Sequence, residues 1–307
     1  MRLRAKAFLV ILLLGVSLIA ASCKQRPPEQ EIGSADAPLV FVMSPSTVEG
    51  KQDQVDILKG VLEEESGLKM EIRIPPNPVS AIQLFSGREA DAGLLGPFEY
   101  LLARKLHEVE AGLQIVRDGP TYQGTIMVKN DDEIGEIGDL QGKRIAYTTP
   151  YSMTGFVLPA ARLKAAGVTM DALYAGSHDE ALAMLEEGRV HAAATYLRRE
   201  EGELDRRGLR VLETTGPVAN EPIFFRKDLP ADTREAFMSG FRAATADQQC
   251  GAALMDLVGC EGVAEVDDEA YDEFEEMASA AGKEVQSLVP GGWFVYHASR
   301  EPFVTTP

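Results

Sequence analysis

The stretch Leu39-Val40-Phe41-Val42-Met43 is an unbroken apolar run that decides how the chain is interpreted. A short run of this kind predicts a strand buried on both faces of a sheet. A helical pattern over 51–66 follows and stops at Gly67, and an alternating stretch over 69–74 predicts the next strand. Strands that alternate with helices in this way predict a mainly parallel sheet with helices on both faces.

The same alternation continues along the chain. Further strands are predicted at 90–95, 113–117, 125–128, 144–147, 173–176, 192–196, 209–213 and 223–225, and further helices at 79–85, 98–105, 154–166, 179–187 and beyond 231. Breaker-rich segments at about 118–124 and 214–222 separate two sets of these elements. We therefore expect two α/β lobes joined by two hinge crossings. Lobe 1 is formed by 39–121 plus 221–307, and lobe 2 by 122–220, with a ligand cleft between them.

Composition excludes several classes of protein. The chain has 307 residues, of which 45% are hydrophobic and 25% charged, so it is neither collagen-like, mostly disordered nor a polytopic membrane protein. Its formal net charge of −18 argues against a nucleic-acid partner, because phosphate backbones need a basic face. The four histidines lack metal-ligand spacing, and no Gly-x-Ser-x-Gly elbow is present. We expect no catalytic residues, no metal and no cofactor.

The N-terminus predicts export. Three cations precede an apolar run over 7–20, which is short for a membrane span and typical of a secretory signal. The run ends in Ala20-Ala21-Ser22-Cys23, which resembles a bacterial lipobox. We expect a signal peptide over 1–22, a lipidated Cys23 and a flexible tether over 23–38, so the body is lipid-anchored to the bacterial membrane and faces the periplasm or the cell exterior. The alternatives are an ordinary secreted protein and an uncleaved anchor.

Candidate binding residues follow predicted strands. Ser152 and Thr154 open a helix whose free N–H groups can hold an anion without a cationic side chain. His178 stands before the next helix, Tyr100 follows the strand at 90–95, and Glu221 lies at the second crossing. Each residue also has a structural interpretation. Ser152 and Thr154 are suited to an N-cap, His178 to a first helical turn, Tyr100 to the closure of a core, and Glu221 to a solvated loop.

Six motifs in order resemble the PhnD-like family, the solute-binding components of phosphonate, phosphite and phosphate ABC transporters. They are Asp91-Ala-Gly-Leu-Leu-Gly-Pro-Phe-Glu-Tyr100, Arg117-Asp-Gly-Pro-Thr-Tyr122, Asp139-Leu-Gln-Gly-Lys143, Pro150-Tyr-Ser-Met-Thr-Gly155, Gly176-Ser-His-Asp179 and Asn220-Glu-Pro-Ile223. The resemblance covers about 40–244. It implies the type II periplasmic-binding-protein fold, with two α/β lobes, two hinge crossings and a cleft.

The resemblance also implies a set of ligand-binding residues. The family's oxyanion-holding triplet falls on Ser152, Met153 and Thr154, its anion-contacting tyrosine and histidine fall on Tyr100 and His178, and its cleft acid falls on Glu221. Ser46 stands near a position where many members carry an aromatic residue. Thr195, Tyr196 and Arg198 replace an acidic stretch, which argues against an aminoalkyl phosphonate.

On this interpretation the protein is a monomeric binding protein that delivers a small oxyanion to an ABC transporter permease. Glu221 accepts a hydrogen bond from a protonated ligand oxygen, and closure of the lobes excludes water. Two alternatives remain: a ligand-binding accessory of a sensor kinase, and a binder of a sulfonate, arsenite or a vitamin precursor.

Cys250 and Cys260 lie in the exported body, where oxidation is favoured. We expect them to form a disulfide that closes a small loop, and the alternative is two buried free thiols.

Overall fold

The computed structural model describes residues 31–48, 50–117, 119–197 and 202–272, without the side chain of Ser46. The predicted signal peptide and the first half of the predicted tether, 23–30 with Cys23, lie outside the described residues, as does the C-terminal part of lobe 1 beyond 272. The second half, 31–38, packs on the body instead of forming a flexible tether: Ala37 is 2% exposed, and the Lys69 N–H donates to the Gly33 carbonyl oxygen at 2.6 Å. Within the described part of the chain, no helix is both long and apolar enough to cross a membrane.

Strands and helices alternate through the described chain. The strands are β1 Leu39–Met43, β2 Met70–Arg73, β3 Ala92–Leu94, β4 Val109–Val116, β5 Thr121–Lys129, β6 Arg144–Tyr147, β7 Asp171–Tyr174, β8 Ala192–Tyr196, β9 Leu209–Ala219, β10 Pro222–Arg226 and β11 Gly262–Glu265. The α-helices are α1 Pro45–Val48, α2 Gln52–Ser66, α3 Pro78–Ser86, α4 Pro97–Leu106, α5 Leu158–Ala165, α6 His178–Glu186, α7 Glu203–Arg206, α8 Ala231–Ala246 and α9 Gln248–Val258. A π-helical turn, Met153–Val157, leads into α5, and 3₁₀ turns lie at Ile137–Leu140 and Asp268–Tyr271.

The strands form two sheets. The six-stranded sheet has the order β11-β4-β10-β3-β1-β2, and the five-stranded sheet has the order β7-β6-β8-β5-β9. The chain leaves the first sheet after β4, builds the whole second sheet and returns at β10. The mixed α/β class predicted from the alternation is therefore confirmed.

The prediction that the sheets are mainly parallel is wrong. Parallel pairing is found for β1 with β2 and β3, and for β6 with β7 and β8. Pairing is antiparallel at β3–β10, β10–β4, β4–β11, β8–β5 and β5–β9. The strand that follows each crossing, β5 or β10, runs opposite to the parallel strands of its sheet, because the chain enters that sheet directly from the other one, without a crossover helix that would restore the direction.

Strand β1 is buried on both faces, as its sequence predicts. All five of its residues are buried. Val40 and Val42 belong to the core under α3 and α4, whereas Phe41 faces α8 and packs edge-on against Phe237 at 5.2 Å between ring centroids. A central strand of a two-sided sheet has no face left for polar residues, which explains the unbroken apolar run.

The second breaker segment is shorter in the structure than the sequence suggests. Strand β9 continues through Gly216 and Pro217, because β9 lies at an edge of its sheet, where a proline gives up no ladder hydrogen bond. Gly216 has a φ of 109°, which a glycine adopts without strain. The two crossings are therefore short, at 117–120 and at Asn220–Glu221.

Asn220 joins the two crossings. Its backbone N–H donates to the Pro120 carbonyl oxygen at 3.1 Å, and its side-chain amide donates to the Gly119 carbonyl oxygen at 2.8 Å. The Tyr271 hydroxyl donates to the Asn220 carbonyl oxygen at 3.0 Å. These bonds fix the second crossing against the first.

The predicted disulfide between Cys250 and Cys260 is absent, and the structure has two buried free thiols instead. Cys250 lies in the first turn of α9, and the Cys260 thiol donates to the Gly262 carbonyl oxygen at 3.2 Å. Burial raises the pKa of both thiols to about 11. Both side chains pack within the apolar core beneath α8 and α9, which favours the neutral thiol.

Candidate functional site

Two pockets are lined by residues from both halves of the chain. The first, which we call the crossing pocket, has a volume of about 530 Å³ and lies beside the two crossings. Its wall includes Arg117, Tyr122, His178, Tyr196, Glu221 and Val258. The second, which we call the proline pocket, has a volume of about 630 Å³. The residues that characterise it are Pro45, Pro75, Pro76, Glu99, Pro150 and Tyr151.

Glu221 lies in the crossing pocket and is paired with a cation. The Arg117 guanidinium contacts the Glu221 carboxylate at 2.7 Å, and the Arg117 Nε donates to the Val258 carbonyl oxygen at 2.7 Å. Burial alone lowers the pKa of Arg117, but the charge and hydrogen bond of Glu221 outweigh burial and raise it. Both side chains are about three-quarters buried, so the pair is shielded from water. Glu221 is therefore part of an ion pair, which departs from the expected free acceptor.

His178 also lines the crossing pocket, at the start of α6. Its Nδ1 lies 2.9 Å from the Thr195 hydroxyl, and its ring stacks edge-on against Tyr196 at 4.9 Å between centroids. These two contacts from β8 fix the orientation of the imidazole. The structure thus brings two of the predicted site residues, His178 and Glu221, into one pocket.

The predicted oxyanion triplet begins a π-helical turn. The Ser152 hydroxyl accepts from the Gly155 N–H at 2.9 Å, so Ser152 is the N-cap. The Ser152 carbonyl accepts from both Phe156 and Val157 at 3.0 Å. Among the described residues, no acceptor contacts the backbone N–H groups of Met153 and Thr154. This helix start therefore holds two unpaired N–H groups, which is the property that an anion site requires.

The helix start is buried, whereas the sequence led us to expect that its N–H groups face an open groove. Met153 is 2% exposed and Thr154 is 1% exposed. The Thr154 side chain is hydrogen-bonded to Tyr122 of the crossing pocket, while Tyr151 lines the proline pocket. The triplet thus lies between residues that line the two pockets.

A glycine at 155 is required by close packing at this turn. A Cβ atom there would lie 2.0 Å from the Thr148 hydroxyl oxygen and 2.8 Å from the Ser152 hydroxyl oxygen. The backbone of the turn can approach the end of β6 this closely only because residue 155 has no side chain. The Pro-Tyr-Ser-Met-Thr-Gly pattern therefore encodes the local geometry as well as the polar groups.

Tyr100 lines neither of the two pockets. It is fully buried on α4, its hydroxyl donates to Asp268, and its ring packs against Phe224 and Tyr271 at about 5 Å between centroids. Burial and the neighbouring carboxylate raise its pKa. This position corresponds to the core alternative that the sequence left open. The side chain of Ser46, which the resemblance also placed at the ligand, lies outside the described residues.

Sequence reasoning missed several residues of the pocket walls, among them Arg117, Tyr122 and Glu99. Glu99 precedes Tyr100 in the same motif, is only 5% exposed and lines the proline pocket. Its carboxylate accepts from the Gly96 N–H at 3.1 Å and lies 3.5 Å from the Ser44 hydroxyl. Burial raises its pKa to about 7. A signal was present in the sequence, because a glutamate three residues after a helix cap predicts a capping box, but that pattern does not indicate burial.

The chain is similar to several known proteins. A family model described as "ABC transporter, phosphonate, periplasmic substrate-binding protein" matches residues 41–271. The phosphate-import protein PhnD of Mycolicibacterium smegmatis is 24% identical over 215 residues, which cover 64% of this chain and 67% of that protein.

Two solved structures share the fold. XAC2383 from Xanthomonas citri, bound to chloride ion, is 17% identical and gives a TM-score of 0.68, with 82% of this chain and 99% of that chain covered. PhnD1 from Prochlorococcus marinus, in complex with methylphosphonate, is 17% identical and gives a TM-score of 0.64, with 81% and 98% covered. The architecture is the type II periplasmic-binding-protein fold predicted from the sequence. Members of the matched family are substrate-binding proteins of transporters and not enzymes. The chain thus belongs to the family of periplasmic substrate-binding proteins of phosphonate ABC transporters.

Proposed function

We propose that this protein is an extracytoplasmic, lipid-anchored binding protein of an ABC importer, and that it binds a phosphorus oxyanion at the Met153 helix start between the two lobes. The observation that carries this proposal is the pair of unpaired N–H groups of Met153 and Thr154, next to two pockets lined by both halves of the chain. Phosphonate, phosphite and phosphate share the oxygen-rich, negatively charged group that such a helix start stabilises.

The groups around the helix start define how the anion is held. The N–H groups of Met153 and Thr154 donate to the oxyanion, and the Ser152 and Thr154 hydroxyls add donors. His178 contributes from the crossing pocket. Arg117 gives a local positive charge that Glu221 balances, so the site holds its ligand mainly with dipoles and hydrogen bonds.

Binding requires the lobes to move. Met153 and Thr154 are buried here, so an anion reaches them only when the two halves separate, and closure then excludes water. We retain the division into lobe 1 (39–121 plus 221–307) and lobe 2 (122–220) as part of this proposal. The partition of the strands between two sheets, with short crossings at 117–120 and 220–221, supports it.

The anchor and the partner complete the proposal. Ala20-Ala21-Ser22-Cys23 supports lipidation of Cys23, with the body held as a monomer at a bacterial membrane by its tether. The closed form docks on a permease, as in the family to which the chain belongs.

A thermal-shift panel tests the ligand class. Phosphate, phosphite, methylphosphonate, 2-aminoethylphosphonate, sulfate and taurine are added separately to the body of the protein. A ligand present at 100 times its Kd stabilises the folded state by about 2.7 kcal/mol, which raises Tm measurably. A rise with a phosphorus compound, and none with sulfate or taurine, is the expected result. No shift with any phosphorus compound would contradict the proposal.

A further inference from the structure

Glu99 is a buried acid at the boundary between the lobes that the binding mechanism above does not use. It belongs to lobe 1, at the third position of α4, and it lines the proline pocket together with Thr149, Pro150 and Tyr151 of lobe 2. One carboxylate oxygen accepts from the Gly96 N–H at 3.1 Å. The other has only the long 3.5 Å contact with the Ser44 hydroxyl. One oxygen of a buried carboxyl is therefore left without a close hydrogen-bond donor.

The surroundings of Glu99 supply no compensating cation among the described residues. Burial raises its pKa to about 7, and the carboxylate of Glu221 acts in the same direction. Glu99 faces Tyr151, which lies in the loop after β6. Burial, and then the charge of Glu99, raises the pKa of Tyr151 to about 12. Arg117 is paired with Glu221, and the crossing pocket also contains the titratable groups His178, Tyr122 and Glu203.

The proposed oxyanion site and this acid are connected through Tyr151. Tyr151 lines the proline pocket with Glu99, and the helix start follows within two residues along the chain. An ionised carboxylate and a doubly charged oxyanion repel each other, and neither provides a hydrogen for a bond. One proton between them removes the repulsion and forms a short, charge-assisted O–H···O bond.

We propose that Glu99 and the bound oxyanion share one proton, so that capture above neutral pH takes up a proton from water. This inference rests on the proposed function and adds to it a linkage between ligand binding and pH. The proton forms an O–H bond either to Glu99 or to a ligand oxygen, and it hydrogen-bonds to the other partner. On release both groups ionise again and the proton returns to solvent, so no other reactant is needed.

Calorimetric titration with methylphosphonate from pH 6 to pH 9 tests the linkage. At each pH two buffers with different ionisation enthalpies are used, because the difference in measured heat gives the number of protons taken up. In the wild-type protein we expect about one proton per ligand at pH 8.5, and a loss of affinity that approaches about tenfold per pH unit above pH 8. Dimethylphosphinate, which has a single acidic oxygen, serves as a second probe whose own charge stays constant over this range.

The variant Glu99→Gln separates the shared proton from other effects. The side-chain oxygen of glutamine can still accept from the Gly96 N–H, and its amide is a neutral donor that does not titrate. We expect this variant to take up no proton with methylphosphonate at pH 8.5 and to keep its affinity up to pH 9. Glu64→Gln, which removes an exposed carboxylate of α2 in the same lobe, is the matched control and is expected to behave as the wild type.

The outcomes distinguish the two proposals. If the wild type binds methylphosphonate but the slope of affinity against pH and the proton uptake are the same in Glu99→Gln, the shared proton is disproved and the binding function stands. If the wild type binds neither probe at pH 6, the shared proton is overturned, and the binding function fails as well only if phosphate and phosphite give no thermal shift either. Should Glu99→Gln not fold, wild-type binding of either probe without proton uptake at pH 8.5 would still disprove the inference.

Discussion

Glu221 and Glu99 line different pockets between the lobes, and the two glutamates have opposite surroundings. Glu221 in the crossing pocket contacts Arg117 at 2.7 Å, so its charge is balanced. Glu99 in the proline pocket contacts a backbone N–H and a distant hydroxyl, and burial raises its pKa to about 7. The chemistry of an acid in this cleft is therefore set by its neighbours and not by its residue type.

The largest expected effect of the difference between the two glutamates is on the pH dependence of the free energy of unfolding. Glu99 has a raised pKa, so from about pH 4.5 to about pH 7 the folded protein keeps a proton that the unfolded chain has released, and stability falls as pH rises through this range. Glutamine does not titrate. Relative to the wild type, Glu99→Gln should gain about 3 kcal/mol of unfolding free energy between pH 4 and pH 8.

Urea unfolding without ligand, at pH 4, 6 and 8, checks this expectation, with Glu64→Gln as the control. A difference between Glu99→Gln and the wild type that does not change with pH would show that Glu99 ionises normally in the folded protein.

The substitution Arg117→Met tests the other glutamate, Glu221, by removing its cation. Methionine preserves part of the apolar stem of Arg117 but leaves Glu221 without its cation. The Glu221 side chain is about three-quarters buried. We expect a loss of about 2 kcal/mol at pH 8, because a shielded charge loses its partner and the hydrogen bond to Val258 is lost as well.

Denaturant unfolding of the double variant Arg117→Met with Glu221→Gln provides the comparison, since it removes both charges and should recover most of the stability. A double variant as unstable as Arg117→Met alone would refute the ion-pair explanation.

The smallest expected change in stability concerns the helix start between the two pockets. Thr154→Val removes the hydroxyl that bonds Tyr122, at a cost of about 1 kcal/mol, and it should also weaken oxyanion binding. Thr215→Val is the matched control, because the buried Thr215 hydroxyl has no hydrogen-bond partner in the described structure and its removal should be nearly neutral. Unchanged methylphosphonate affinity in Thr154→Val would mean that this hydroxyl serves only the fold.

Much of the architecture was predictable because it depends on local patterns. The apolar run at Leu39–Met43, the helix that ends at Gly67 and the two breaker segments indicate a two-sided sheet, helix boundaries and crossings without any long-range information. The direction of the strands near the crossings was not predictable from these patterns, and neither was the passage of β9 through Pro217. Both depend on which strand lies at the edge of a sheet.

The candidate site was also predictable only in part. The helix start at Ser152–Thr154, and the positions of His178 and Glu221 after strands, follow from the sequence, because strand ends and helix starts meet at one edge of a sheet. Which residue of the Gly96–Tyr100 turn faces the cleft depends on how α4 packs. Burial of the Tyr100 ring between Phe224 and Tyr271 directs Glu99 toward lobe 2 instead.

By itself, the sequence determined the fold class, the two crossings and the helix start that we propose as the anion site, since these depend on apolar periodicity, breakers and helix caps that act within a few residues. Only the tertiary structure decided the partners of the ionisable groups. It paired Arg117 with Glu221, brought no cation from the described residues to Glu99 and kept Cys250 and Cys260 as separate thiols. The reason is that electrostatic energy depends on distance and burial, which residues far apart in the chain establish only when they pack together.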